Sequence, residues 1–179
     1  MSIPTPGFVV WLTGIPSSGK TTLGRLLCER LRAEGLVVQM LDSDELRRVL
    51  TPGPTYSAAE RDWFYSVLTY LAALLAENGV NVVIAATAAR RLYRDNARAR
   101  LPRFAEVYVQ CPASVCRQRD PKGLWQKVQS GAISGLPGAD EPYEAPQAPE
   151  AVVDTSQTDA SEAIDQLYRQ LDSAGFFDA

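Results

Sequence analysis

The chain has 179 residues, 46% of them hydrophobic, and a net charge of -3 with no histidine, so a single domain over residues 1–179 with a substantial buried core is expected. The weak negative charge supplies no field to gather nucleic acid or an anionic membrane, and no apolar run approaches the roughly 20 residues of a membrane helix. Without histidine, Ser-His and Cys-His chemistry is excluded, which leaves carboxylates and a metal as acid-base equipment.

Met1 to Gly7 lacks the basic and apolar regions of a secretory signal, so a soluble cytoplasmic protein is expected. Phe8 to Leu12 is an apolar run that reads as a strand, and Leu23, Leu26, Leu27 and Leu31 fall on one face at helical spacing. Between them, Gly14-Ile15-Pro16-Ser17-Ser18-Gly19-Lys20-Thr21 fits the phosphate-loop pattern G-x-x-x-x-G-K-[ST] at every fixed position. In that pattern loop N–H groups and a helix N-terminus cradle phosphates. Lys20 reaches the β- and γ-phosphates and the Thr21 hydroxyl holds magnesium, with Thr22 beside them.

Gly35 reads as the helix stop, and Leu36 to Leu41 as a buried strand ending in Asp42-Ser43-Asp44. Carboxylates at the carboxyl end of a parallel strand lie where such sheets bind ligands. Asp42 is therefore a candidate metal-side carboxylate, while Ser43 or Asp44 is a candidate cap for a helix beginning near Glu45, with Arg47 facing the same crevice. Thr51 to Thr55 is a loop, and Ser57 with Glu60 resembles a capping box. The next helix is expected to bury a stripe of Trp63, Val67, Tyr70, Leu71, Leu74 and Leu75.

Val80 to Ala86 reads as a third strand, with no terminal acid, and Ala105 to Cys111 as a fourth. Six arginines from Arg90 to Arg103 read mostly as a solvated helix face, with one or two placed to meet an anion. After the fourth strand, Arg117, Arg119 and Lys122 suggest a lid that closes over the transferred phosphate, or else a solvated helix end. Residues 131–149 are rich in Gly, Pro and Ala and read as a long functional loop, so lid and loop together span about residues 112–149. Ala151 to Asp154 is a short fifth strand, and Ile164, Leu167, Tyr168 and Leu171 mark a closing helix. Alternating strands and helices imply a phosphate-loop NTPase-type α/β three-layer sandwich, a five-stranded parallel sheet covered on both faces. Cys28, Cys111 and Cys116 form no C-x-x-C pair and read as buried hydrophobes.

The residues resemble the adenylylsulfate (APS) kinases, which transfer the ATP γ-phosphate to the 3′-hydroxyl of APS. The likeness is most specific at Val115-Cys116, Arg119 to Leu124 and Pro142-Tyr143-Glu144-Ala145-Pro146, which look like that family's lid and following loop. Asp42 to Arg47 looks like its Asp-Gly-Asp-Asn-Val-Arg. The resemblance implies ATP and magnesium as cofactors, a small-molecule acceptor and a homodimer. It implies Lys20, Asp42, Arg119 and Lys122 in catalysis, Arg117 toward the nucleotide, and Asp44, Arg47, Tyr56, Arg61 and Lys122 toward the acceptor. Phe64 stands where the family usually has a substrate-binding Asn, Ala88 in place of a serine, and Leu136-Pro137 in place of Phe-Thr. These departures keep two rivals open, a kinase for another small hydroxyl compound and a non-catalytic nucleotide-binding module.

Overall fold

The computed structural model describes residues 5–101 and 103–177. Five parallel strands, β1 (Val9–Thr13), β2 (Val38–Asp42), β3 (Asn81–Ala85), β4 (Phe104–Gln110) and β5 (Ala151–Asp154), form one sheet in the order β2-β3-β1-β4-β5. β1 lies at the centre, pairing Trp11 with Ile84 on one side and with Glu106 on the other. The chain leaves β1 toward one edge and later returns past it to the other, so the crevice above its carboxyl end is the sheet's switch point.

Period-two alternation along β1 divides the core. Phe8, Val10 and Leu12 pack with Leu23, Leu27 and Leu31 of α1 (Lys20–Ala33) and with Ile164, Leu167 and Leu171 of α7 (Ala160–Ser173). Val9 and Trp11 face the opposite layer, made by α3 (Ala58–Glu77) and α4 (Arg91–Arg100). Fully burying one leucine of this kind contributes about 1.5–3 kcal/mol. α1 stops where expected, with Gly35 left-handed at φ 86° and Leu36 N–H donating to Leu31 O. A third, smaller cluster of Ile15, Cys111, Cys116, Trp125 and Leu136 joins the phosphate loop to α5 (Ala113–Arg119) and α6 (Leu124–Gln129). The three cysteines are free and buried, and burial pushes the Cys116 thiol up to about 12.

Three expectations are corrected. The stripe on α3 is turned: Phe64, Tyr65, Leu68, Ala72, Ala73 and Ala76 face the sheet, while Trp63, Tyr70 and Leu74 are about half exposed. From Trp63 onward the helix is apolar nearly all round, and alanines occupy its buried side near the C-terminal end. The cap of α2 (Ser43–Leu50) is neither Ser43 nor Asp44 but Asp42, whose Oδ1 accepts from Asp44 N–H at 2.8 Å and Glu45 N–H at 3.3 Å. Finally, Arg94 is not solvated: it is 1% exposed, ion-paired with buried Glu106, and donates to Ala88 O and Glu144 O. A guanidinium is kept in the interior only when its donors are met in this way.

Candidate active site

The phosphate loop hangs between β1 and α1 because only glycine fits its two bends. A Cβ on Gly14 would lie 2.4 Å from Val109 O, and Gly19, at φ 100°, starts α1 in the left-handed region. The N-terminal N–H groups of α1 therefore open upward into a cavity of about 480 Å³. Pro16, Ser17, Gly19, Lys20, Thr21 and Thr22 line its floor, Ser43, Asp44 and Thr87 one wall, and Arg119, Lys122 and Thr155 the other. Ser18 is buried and does not line the cavity: its O accepts from Thr155 Oγ1 at 2.8 Å, and its Oγ has no hydrogen-bond partner among the described residues. Ile15 is buried among the lid residues.

Lys20 Nζ donates to Gly14 O and Ile15 O, each at 2.9 Å. Desolvation at the cavity floor lowers its pKa from 10.5 to about 8, against the pull of Asp44. Burying an ammonium this way stores a demand for anionic charge that a triphosphate can meet. Thr21 Oγ1 donates to Asp42 Oδ2 at 2.7 Å. A hydroxyl and a carboxylate at that separation fit a hard cation that keeps several waters and takes its remaining ligands from phosphate oxygens. Among the described residues no cluster of three or more acidic or sulfur ligands gathers, and magnesium in such a site uses only one or two protein ligands.

Above the cavity, α5 and α6 bring the expected cations to unequal places. Lys122 crosses to ion-pair with Asp44 on the far wall. Arg119 donates to Thr155 O at 2.5 Å and Thr155 Oγ1 at 3.2 Å. Arg117, two residues before it on α5, faces elsewhere: its guanidinium lies 5.9 Å from the Trp125 ring centre and does not line the cavity. Trp125 Nε1 in turn donates to Pro16 O at 3.3 Å, fastening α6 to the phosphate loop.

Of the residues expected toward the acceptor, Asp44 and Lys122 line the cavity, whereas Arg47, Tyr56 and Arg61 form a second group outside it. Arg47 stacks 3.8 Å from the centre of the Phe64 ring and 5.1 Å from that of Tyr56, and its Nη1 reaches Glu60 at 3.2 Å. Phe64 has no exposed surface and Leu136 is buried in the lid cluster, so neither is placed to touch a ligand directly. Phe64 instead floors Arg47. Arg61 donates to Glu141 at 2.6 Å and Gly135 O at 2.9 Å, tying α3 to the 131–149 loop.

Glu60, read above only as a capping-box partner, and Thr155, which belongs to no motif, organise the surroundings of the site. Glu60 accepts from Thr55 N–H, Thr55 Oγ1 and Tyr56 N–H as well as Arg47. Ser57 does cap Glu60 N–H, but the carboxylate reaches back to Thr55 and Tyr56 instead of completing the box at Ser57. Thr155 carries no motif of its own, but it directly follows the carboxyl end of β5, the position where parallel sheets place ligand-facing groups.

A phosphate loop at the switch point of a parallel sheet, roofed by a cationic helical segment, defines the phosphate-loop kinase class. Within that class the chain belongs to the adenylylsulphate kinase family, whose model matches residues 6–154. The adenylyl-sulfate kinase of Picosynechococcus sp. is 38% identical over 170 residues, covering 95% of this chain and 96% of that protein. A probable bifunctional SAT/APS kinase of Sorangium cellulosum is 39% identical over the same share of this chain, which spans only 29% of that longer protein. The structure of the Mycobacterium tuberculosis APS kinase CysC in complex with AMPPNP and APS superposes with a TM-score of 0.88 at 31% identity, covering 94% of this chain and 99% of that one. No helix among the described residues is long and apolar enough to cross a membrane.

Proposed function

We propose that this protein transfers the γ-phosphoryl group of ATP to the 3′-hydroxyl of adenylyl sulfate, giving ADP and 3′-phosphoadenylyl sulfate, as a cytoplasmic enzyme of sulfate assimilation. The observation that carries the reading is the convergence of Lys20, Thr21 and Lys122 on one cavity, with Asp42 bonded to Thr21 at its edge. The loop amides and Lys20 bind the β- and γ-phosphates. Asp42 orients the acceptor hydroxyl and takes its proton as the new P–O bond forms. Arg119 and Lys122 neutralise charge on the moving group when the 112–149 segment closes, and closure excludes water. Magnesium, held by Thr21 and Asp42, supplies Lewis-acid neutralisation of phosphate charge when bound. Arg47, Tyr56 and Arg61 recognise the acceptor, with Phe64 supporting Arg47 from below and Leu136 packing within the lid.

A coupled assay of ADP release with ATP, magnesium and adenylyl sulfate tests the reading. Turnover well above the ATP-only blank is expected, and none would retire adenylyl sulfate as acceptor. The burial of Phe64 at a position where the family usually carries a substrate-binding amide favours one second reading, a related small hydroxyl compound as acceptor. A screen of hydroxylated metabolites in the same assay separates the two. A homodimer is the assembly the family likeness suggests, and light scattering of the purified protein checks it.

A further inference from the structure

Thr155 belongs to none of the motifs named above, yet it is the only residue that bonds both to the phosphate loop and to the roofing helix α5 among the described hydrogen bonds. It is buried, and a Cβ on Gly19 would lie 3.7 Å from its methyl group. Its hydroxyl has one proton to give, and Ser18 O receives it at 2.8 Å, with Gln110 O a distant second at 3.5 Å. The oxygen then accepts from Arg119 Nη1 at 3.2 Å, and Thr155 O accepts from Nη2 at 2.5 Å. The strand end does not need this hydroxyl, because Thr155 N–H already donates to Gln110 O at 3.0 Å.

We propose that Thr155 is a positioning residue of the nucleotide pocket, setting the guanidinium of Arg119 in register with the phosphate loop. The inference rests on the reading of the cavity as an ATP site. Arg119 is an exposed side chain with many rotamers, and a ligand that had to order it on binding would lose affinity. Anchoring one edge of the guanidinium on Thr155, with Cys111 Sγ 3.7 Å away, leaves Nε–H and a second Nη2–H for an anionic ligand. The same hydroxyl fixes the carbonyl of Ser18, and with it the turn that presents the Gly19 and Lys20 N–H groups. Loop and arginine are thus pre-ordered together.

The test is a double-variant cycle read as affinity for the non-hydrolysable analogue AMPPNP with magnesium, by calorimetry, with the ligand-free thermal midpoint of each protein alongside. Thr155→Val keeps the shape and removes the hydroxyl. It is expected to weaken AMPPNP about tenfold, while Thr155→Ser stays within about twofold of the parent. In an Arg119→Met background the Thr155→Val change is expected to cost less than about twofold, since the partner it positions is gone. Thr155→Ala removes the hydroxyl by another route and reports the same loss if the valine variant folds poorly. Unchanged affinity in Thr155→Val, failure of Thr155→Ser to restore it, or losses that multiply to about a hundredfold in the double variant would overturn the proposal. A parent that binds no AMPPNP would overturn the nucleotide reading itself. A parent that binds AMPPNP but does not turn over adenylyl sulfate touches only the acceptor assignment and leaves this cycle decisive.

Discussion

Thr21 Oγ1 donates to Asp42 Oδ2 at 2.7 Å, joining the first turn of α1 to the carboxyl end of β2 across 21 residues. The other carboxylate oxygen caps α2 through Asp44 N–H and Glu45 N–H. One side chain therefore fixes a helix start and faces the Thr21 hydroxyl at once, and substitution can separate the two duties. Asp42→Asn keeps a capping oxygen but loses the charge and the ability to take a proton. Its thermal midpoint should match the parent, while kcat should fall by about a hundredfold or more. Asp42→Ala loses the cap as well and should cost about 1 kcal/mol of stability on top of turnover. Near-parental kcat in Asp42→Asn would remove Asp42 from catalysis.

Lys20 gives a pH signature. Its pKa of about 8 lies below the ordinary 10.5 because burial disfavours the cation. Between these values the unfolded chain holds a proton that the folded chain has lost, so Lys20 makes stability rise with pH through that window. Denaturant unfolding of the parent and of Lys20→Met should show their difference moving in the parent's favour from pH 8 to pH 10.5, with no movement below about pH 7. Triphosphate beside Lys20 restores the cation, so ATP binding near pH 8.5 should take up a proton, seen as a calorimetric heat that depends on buffer ionisation.

How far the sequence could be read follows from how local each interaction is. The phosphate loop and α1 were legible because Gly14, Gly19 and Lys20 do their work within one strand-loop-helix unit. Arg94 was misread because its partner Glu106 sits on another element and shows in the sequence only as an acid inside a strand. The α3 stripe failed for a different reason: with Trp63, Tyr70 and Leu74 on one side and Phe64, Tyr65 and Leu68 on the other, periodicity cannot choose. What decides is the row Ala72, Ala73 and Ala76, whose small side chains permit close packing on the sheet. On the acceptor side, the Ser57–Glu60 spacing marks the helix start but does not tell that the Glu60 carboxylate turns back to Thr55 and Tyr56 and across to Arg47.

Phe64 lies with no exposed surface beneath the Arg47 guanidinium and edge-on to Tyr65. Restoring the family's residue here with Phe64→Asn would leave a cavity and an amide without obvious partners, and should cost about 3 kcal/mol or more. Phe64→Leu, which fills most of the space, should cost less than half as much. Denaturation midpoints check the order. An asparagine variant as stable as the parent would show that the ring is not a structural floor.

Gly14 tests the loop by sterics alone, since its Cβ would meet the backbone oxygen of Val109 at 2.4 Å and the Ser18 hydroxyl at 2.7 Å. A serine can rotate, but a β-strand carbonyl cannot retreat without disturbing β4. Gly14→Ala should therefore push the loop away from β4 and weaken AMPPNP at least about tenfold, with a lower thermal midpoint. Gly53, where an added Cβ meets nothing within 4 Å, is the control whose alanine variant should bind normally.

Lys122 and Asp44 form an ion pair over the cavity while both remain about half exposed. Exposed pairs of this kind are worth at most about 1 kcal/mol, and salt screens them, so the pair should matter little to folding. Its consequence lies in where it holds Lys122, on the lining of the cavity floored by the phosphate loop. Lys122→Met should leave the thermal midpoint unchanged within a degree or two and lower kcat by about tenfold to a hundredfold, with a smaller change in KM for ATP. Asp44→Asn frees the lysine from its wall and should raise KM for the acceptor more than it lowers kcat. If Lys122→Met instead lowers the midpoint and spares kcat, the pair is a structural clasp and the charge on the transferred group must be met by Arg119 and Lys20 alone.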